Sequence, residues 1–246
     1  MNYESDSSDD ASHNSDPVSP EGQQDCVMLC DEVPAAGDLY VSMLTKEDFA
    51  AQWNAKEEQR RQENYAYIKV LARRALTEAA TREEEEISLD TVVELTDQQV
   101  QLMLDQQKLT LKLCQGRVEW STCVWGLFSG AFDDMVRTVT EPLECAVSID
   151  RCSDYYIGLA WSPARRWLGK AYFPELDYDG HRFEYDEMLV LAFADTRFIG
   201  LLEKIYVDRY RNKDPRCRNR APGGGHRGKD GTMSALYVAR NFQLPL

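Results

Sequence analysis

The stretch DYYIGLAWSPARRW, residues 154–167, places Tyr156 in a short apolar run and follows it with two adjacent arginines. A guanidinium donates aligned hydrogen bonds to an oxyanion, and a phenol orients or deprotonates water when a neighbouring cation lowers its pKa. If the fold brings the phenol of Tyr156 and the guanidinium of Arg166 together, they form a candidate catalytic pair.

The charge of the chain is uneven. The formal net charge is -14, yet residues 1–38 hold ten acidic residues and no lysine or arginine, whereas residues 151–246 hold 12 acidic and 16 basic residues. The first segment has no apolar periodicity and cannot bury enough surface to offset its chain entropy. We therefore expect residues 1–40 to form a disordered acidic tail, and the overall acidity does not argue against a nucleic-acid partner for the C-terminal part.

Several protein classes are disfavoured. The seven cysteines include no C-x-x-C pair, which argues against a disulfide framework and a zinc ribbon. No run of about 18 apolar residues is present, and the N-terminus MNYESDSSDD is acidic where a secretory signal is basic. We expect no membrane association and an intracellular location, nucleus or cytoplasm, without secretion.

Residues 41–140 are predicted to be mainly helical. The TKED sequence at residues 45–48 begins a long helix that continues to about residue 86, and Thr96 with Gln99 forms a capping-box pattern for a second. The following KLTLKLCQGRVEWST, residues 108–122, fits either a hairpin or a helical continuation. This region lacks candidate catalytic residues, so we expect it to bind a protein partner or to contribute specificity.

The elements after residue 140 are shorter and alternate in type. They are a β-hairpin formed by CAVSID (145–150) and DYYIGLAW (154–161), a short helix capped by Ser162, a buried strand (186–195), a helix (196–212), a basic glycine-containing loop and a last strand (234–242). The fold class predicted from these elements is α+β, with a small antiparallel sheet flanked by helices, preceded by the α-rich region and the acidic tail.

The order of these elements resembles the GIY-YIG nuclease superfamily over about residues 143–246. Tyr156, Ile157 and Gly158 match the second signature tripeptide, and Arg166 lies ten residues after Tyr156, as the family's catalytic arginine does. Glu203 lies on the next long helix, where the family has its metal-binding glutamate, and Asn219 follows it by 16 residues, like the family's late asparagine. The resemblance predicts residues 141–246 to be a nuclease-like domain.

The resemblance implies a metal-dependent endonuclease. Its catalytic residues would be Tyr156, Arg166 and Glu203, with one Mg²⁺ or Mn²⁺ on Glu203, and its substrate a nucleic acid, DNA in preference to RNA. The basic loop and the residues around the tripeptide give the nucleic-acid-binding candidates Gly158, Arg165, Lys170, Arg216, Arg218, Asn219 and Arg220.

The sequence departs from the family at the first tripeptide. A tyrosine is expected ten or eleven positions before Tyr156, where the chain has Cys145 and Ala146 instead. Tyr155 is a poor substitute, because adjacent strand residues face opposite ways. The alternative is therefore a catalytically inactive nucleic-acid-binding or protein-interaction module that retains the fold. Taken singly, each candidate also fits a structural role: a core tyrosine, a solvated arginine, an ion-paired glutamate or a turn asparagine.

Overall fold

The computed structural model of the chain describes residues 46–80, 87–126, 129–148, 150–223 and 232–243. The chain divides into two units, residues 1–46 and 47–246, and nearly all described residues belong to the second. The predicted acidic tail and residues 224–231 of the basic loop lie outside the described residues. None of the helices within the described ranges is long and apolar enough to cross a membrane.

The chain has the predicted α+β composition. The described residues form the α-helices α1 (Lys46–Ala80), α2 (Asp97–Leu113), α3 (Phe132–Ala146), α4 (Pro163–Leu168) and α5 (Thr196–Tyr210), and 3₁₀ turns at Thr122–Gly126 and His181–Phe183. The strands are β1 (Val92–Glu94), β2 (Val118–Trp120), β3 (Ser129–Ala131), β4 (Cys152–Ala160), β5 (Glu187–Asp195) and β6 (Met233–Phe242).

The main sheet has the strand order β2-β5-β6-β4. The last strand, β6, is antiparallel to both β4 and β5, whereas the short edge strand β2 is parallel to β5. A second sheet consists of the antiparallel pair β1 and β3. The predicted antiparallel sheet therefore corresponds to β4, β6 and β5, with a parallel strand added at one edge.

The predicted hairpin of residues 145–150 and 154–161 is wrong. Cys145 and Ala146 are the last residues of α3, and the partner of β4 is β6. The physical reason is the apolar spacing of α3, because Val136, Val139 and Leu143 form one helical face that packs into the core. The apolar run at residues 145–150, which resembles a strand in the sequence, begins with the last turn of this helix.

The ambiguous segment 108–122 is helical first and extended afterwards. The capping box is present: the Thr96 side chain accepts from the Gln99 backbone N–H, and α2 continues to Leu113. Gln115 and Gly116 then adopt positive φ angles of 51° and 78°, which end the helix before β2. The hairpin alternative is therefore wrong, because β2 pairs in parallel with the distant β5.

Helices cover both faces of the main sheet. Residues of α1, α3 and α5 share one apolar cluster with Tyr155 and Ile157 of β4, whereas α2 and α4 share another with Tyr237 and Ala239 of β6. The predicted domain boundary at residue 140 lies inside α3, and helices from both sides of it contribute to the first cluster. The alternation along β4 therefore assigns Tyr155 and Tyr156 to opposite faces.

We expect Leu143→Ala to test whether α3 is integral to this core. Leu143 is fully buried, and its truncation should lower the free energy of unfolding by about 2–5 kcal/mol in urea denaturation. Leu111→Ala is the control, because Leu111 is 61% exposed on α2 and its truncation should change stability by less than about 0.5 kcal/mol. Equal effects of the two substitutions would contradict the packing of α3.

Candidate active site

Gly158 allows two tyrosines to approach each other on one face of the sheet. Gly158 of β4 pairs with Tyr237 of β6, and the ring centroids of Tyr156 and Tyr237 are 6.4 Å apart. A Cβ atom at position 158 would lie 2.6 Å from both Cε1 of Tyr156 and Oη of Tyr237. Glycine is therefore required here for close packing of the two phenols.

Arg166 joins this pair from α4. Pro163 occupies the start of that helix as predicted, although the Ser162 side chain forms no capping hydrogen bond. The Arg166 Nε–H donates to Oη of Tyr237 at 3.1 Å and to Nε2 of His181 at 3.1 Å. Its guanidinium also lies 5.0 Å from the centroid of the Tyr178 ring.

His181 completes a hydrogen-bonded triangle. Its Nε2 lies 2.9 Å from Oη of Tyr237, and because arginine can only donate, this nitrogen accepts from Arg166. The Tyr237 hydroxyl accepts from Arg166 and lies within hydrogen-bonding distance of His181. Burial, and secondarily the charge of Arg166, lowers the pKa of His181 to about 3, so the imidazole is neutral near neutral pH.

The two phenols remain protonated near neutral pH. Burial raises the pKa of Tyr156, which Arg166 lowers in part and the Glu203 carboxylate raises further. Burial also raises the pKa of Tyr237, Arg166 lowers this pKa in part, and the Glu203 carboxylate raises it further. Tyr156 is half-buried and Tyr237 is fully buried, so only Tyr156 is open to a ligand.

Tyr156, Tyr237, Arg166 and His181 form one cluster, and the charge of Glu203 on α5 acts on its two tyrosines. Its carboxylate is half-buried and raises the pKa values of both tyrosines. Gly223, at the start of the glycine run, packs directly on this turn, because a Cβ there would lie 2.9 Å from the Glu203 carbonyl oxygen. Tyr156 and Arg166 therefore lie in one cluster with Tyr237 and His181, whereas Glu203 lies on the helix that packs against the other face of the sheet and acts on the two phenols through its charge.

A divalent cation would have few protein ligands at this cluster. In the described ranges, no group of three or more His, Cys, Asp or Glu side chains is arranged to hold a metal ion. Mg²⁺ at phosphate-processing sites commonly uses one or two carboxylates together with water and substrate phosphate. A single half-buried carboxylate such as Glu203 fits that coordination.

Three comparisons with known proteins give no relative. No family model, no curated protein and no solved structure matches the chain. The functional conclusion therefore depends on the geometry of the cluster.

Asn219 holds the basic loop against β4. Its Oδ1 accepts from the Ile157 N–H at 2.9 Å, and its Nδ2 donates to the Ile157 carbonyl at 2.7 Å. The backbone of Arg216 and Arg218 also bonds with that of Tyr155. Asn219 was predicted to contact nucleic acid; in the structure its side chain is buried and bonded to the strand that carries Tyr156.

The basic candidates differ in their surroundings. The Arg165 guanidinium lies between the rings of Trp161 and Phe173 and pairs with Glu175. The other predicted positions are Lys170, paired with Asp179 at 3.1 Å; Arg216, bonded twice to Asp214; Arg218, exposed and 3.3 Å from Asp154; and Arg220, exposed. Arg218 and Arg220 are thus more accessible to a phosphate backbone than Arg165 and Arg216.

Sequence reasoning missed Tyr237 and His181. Tyr237 lies in a predicted strand, but 81 positions separate it from Tyr156, and strand propensity does not identify a pairing partner. His181 begins a short 3₁₀ turn, and no motif surrounds it in the sequence. The only available signal was its rarity, because the chain contains three histidines.

We predict that Gly158→Ala disrupts the tyrosine pair. The added methyl group would displace the Tyr237 hydroxyl from Arg166 and His181, lowering the free energy of unfolding by about 1–3 kcal/mol. Gly130→Ala is the matched control, since its Cβ would meet no atom nearer than 3.7 Å. Near-ultraviolet circular dichroism and urea denaturation measure the change, and an unchanged tyrosine signal in Gly158→Ala would contradict the packing.

We also predict a pH effect from His181. Its pKa is near 6.5 in the unfolded chain and about 3 in the folded protein. The unfolded state therefore binds more protons than the folded state between these pH values. The contribution of His181 to the free energy of unfolding is complete above about pH 6.5. It decreases as the pH falls, by at most about 1.4 kcal/mol per pH unit.

The substitution His181→Gln removes the titrating group, so stability should vary less steeply with pH in this variant. Urea denaturation from pH 7 to pH 4.5 measures the slope in each protein. Identical slopes for wild type and variant would show that His181 is not buried in its neutral form.

Proposed function

We propose that the chain is a metal-dependent nuclease that hydrolyses phosphodiester bonds of nucleic acid. The observation that carries the proposal is Tyr237, which lies beside Tyr156 and bonds to Arg166. It supplies the second phenol that the sequence resemblance lacked. Arg166 supplies the guanidinium beside these phenols, and the Glu203 carboxylate on α5 acts on both of them through its charge.

The proposal includes a permuted strand order. In the GIY-YIG resemblance, the first tyrosine precedes the YIG tripeptide and lies in an adjacent antiparallel strand. Here the antiparallel neighbour of the YIG strand is β6, which comes from the C-terminal end of the chain. In the proposed arrangement, the last strand would substitute for the first strand of the resemblance, and Tyr237 would substitute for the missing tyrosine.

Arg166 is the group that would bind the scissile phosphate. It retains its positive charge in proteins, and His181 and Tyr237 hold its Nε atom, which fixes the plane of the guanidinium. A guanidinium held in this way can donate aligned hydrogen bonds to nonbridging oxygens and stabilise negative charge that develops in the transition state. His181 and Tyr237 are positioning residues in this scheme.

Tyr156 would orient the attacking water. Its phenol is the more accessible of the two, and its raised pKa keeps it protonated near neutral pH. It can therefore accept a hydrogen bond from water while the proton of the phenol remains in place. A bound Mg²⁺, held by Glu203 and the substrate, would polarise the phosphate and stabilise the leaving oxygen.

A second candidate function is binding without cleavage. The observation that favours it is the protonation of both phenols, since neither is a ready base near neutral pH. In that case the cluster and the exposed Arg218 and Arg220 would bind a phosphate backbone, and affinity would fall with salt.

The test is cleavage of plasmid and single-stranded DNA, and of RNA, with Mg²⁺ or Mn²⁺. We expect Arg166→Gln and Glu203→Gln each to lower the rate by roughly a hundredfold or more, because each removes charge stabilisation from the transition state. Tyr237→Phe keeps the ring and removes only the hydroxyl, so the rate at saturating substrate should fall while binding is retained.

The matched control is Glu119→Gln, which removes an exposed carboxylate on β2 and should leave the rate unchanged. An equal, metal-independent background in wild type and all variants would overturn the nuclease proposal. Salt-dependent binding without cleavage would support the second function.

A further inference from the structure

A second site lies next to the catalytic cluster. It is a pocket of about 270 Å³ between the C-terminal end of α2, the helix α4 and the segment that follows His181. The lining side chains relevant here are Arg117, Trp167, Tyr172, Arg182, Tyr185 and Asp186. Two of these immediately follow cluster residues in the chain, because Trp167 follows Arg166 and Arg182 follows His181.

The pocket carries an excess of positive charge. Within the described ranges, neither Arg117 nor Arg182 pairs with a carboxylate; Arg117 donates from Nη1 to the Asp186 backbone carbonyl at 3.1 Å. Among the described residues, the buried Nε of Arg182 has no hydrogen-bond acceptor. The Asp186 carboxylate accepts from the Phe242 N–H at 2.9 Å. With two guanidinium groups and one carboxylate, the lining has a net positive charge, which favours binding of an anion.

Aromatic rings hold one of these arginines in place. The Arg182 guanidinium lies 4.9 Å from the Tyr172 ring centroid and 4.5 Å from that of Phe183. Tyr172 and Phe183 are nevertheless 52% and 62% exposed. Ring surface is therefore left open for stacking next to a cation that is already oriented.

We infer that this pocket binds a nucleotide. The phosphate of the nucleotide interacts with Arg117 and Arg182, and the base of the nucleotide stacks on the exposed aromatic surface at Tyr172. Guanidinium groups pair with phosphate through aligned hydrogen bonds, and base stacking on an aromatic ring contributes about 1–3 kcal/mol. A free nucleotide and a nucleotide within a strand share this chemistry. The inference does not require phosphodiester hydrolysis.

The test is titration calorimetry of the full chain with adenosine 5′-monophosphate, inorganic phosphate and adenosine, without divalent metal. We expect saturable binding of the nucleotide, with weaker binding of phosphate and of adenosine. Arg182→Gln and Arg117→Gln should each reduce nucleotide affinity by roughly tenfold, the effect of losing a charged hydrogen bond of about 1.4 kcal/mol. Arg117 is exposed, so its substitution separates a binding effect from misfolding.

The matched control is Arg151→Gln, which removes an exposed positive charge elsewhere and should change affinity by less than about twofold if binding is local. Competition by a short oligonucleotide would support a strand as the source of the phosphate, and competition by mononucleotides alone would support a free nucleotide. Absence of saturable nucleotide binding by wild type, or equal affinity in the arginine variants, would overturn the inference.

Adenosine 5′-monophosphate, inorganic phosphate and adenosine contain no phosphodiester bond. A negative binding result therefore leaves the proposed cleavage intact, and an absence of cleavage leaves the pocket intact. The two proposals fail independently.

Discussion

The antiparallel pairing of β6 with both β4 and β5 is the constraint on which the rest of the structure depends. Without β6, neither long strand has its main hydrogen-bonding neighbour in the sheet. The same pairing sets Tyr237 opposite Gly158, where only a glycine leaves room for the phenol. One register therefore specifies the centre of the sheet and the geometry of the candidate active site.

Burial gives the cluster its electrostatic character. Removing His181 from water lowers its pKa, so the imidazole accepts a hydrogen bond and does not compete with Arg166 as a second cation. Burial also keeps the phenols around Arg166 neutral. These phenols can form polar contacts with the guanidinium, but they do not neutralise its charge. A guanidinium in this setting keeps its charge for an external anion.

The arginines of the chain show that residue type does not specify role. Arg216 is bonded twice to Asp214 and once to the Cys152 carbonyl, which fixes the basic loop to the sheet. Arg182 lies between aromatic rings without a carboxylate partner in the described part of the chain. The first contributes to folding and the second leaves charge available for a ligand, and the residue type alone does not distinguish these two roles.

The sequence by itself determined the elements whose signals are local. The capping box of α2, the buried strand β5, the helix α5 and the strand β6 follow from patterns within about 20 residues, because capping and amphipathicity act between near neighbours. It also identified Tyr156, Arg166 and Glu203 as candidates. The hairpin at residues 145–150 was predicted wrongly, because a short apolar run fits either a strand or the end of an amphipathic helix.

Only the tertiary structure decided which strand pairs with β4, and with it which tyrosine lies beside Tyr156. Strand pairing joins positions far apart in the chain, and the side-chain pattern of β6 is compatible with several partners. His181 and the pocket at Arg182 were hidden for the same reason, since their partners come from separate elements. The sequence supplied the chemical groups, and the long-range pairing of β6 determined which of them meet.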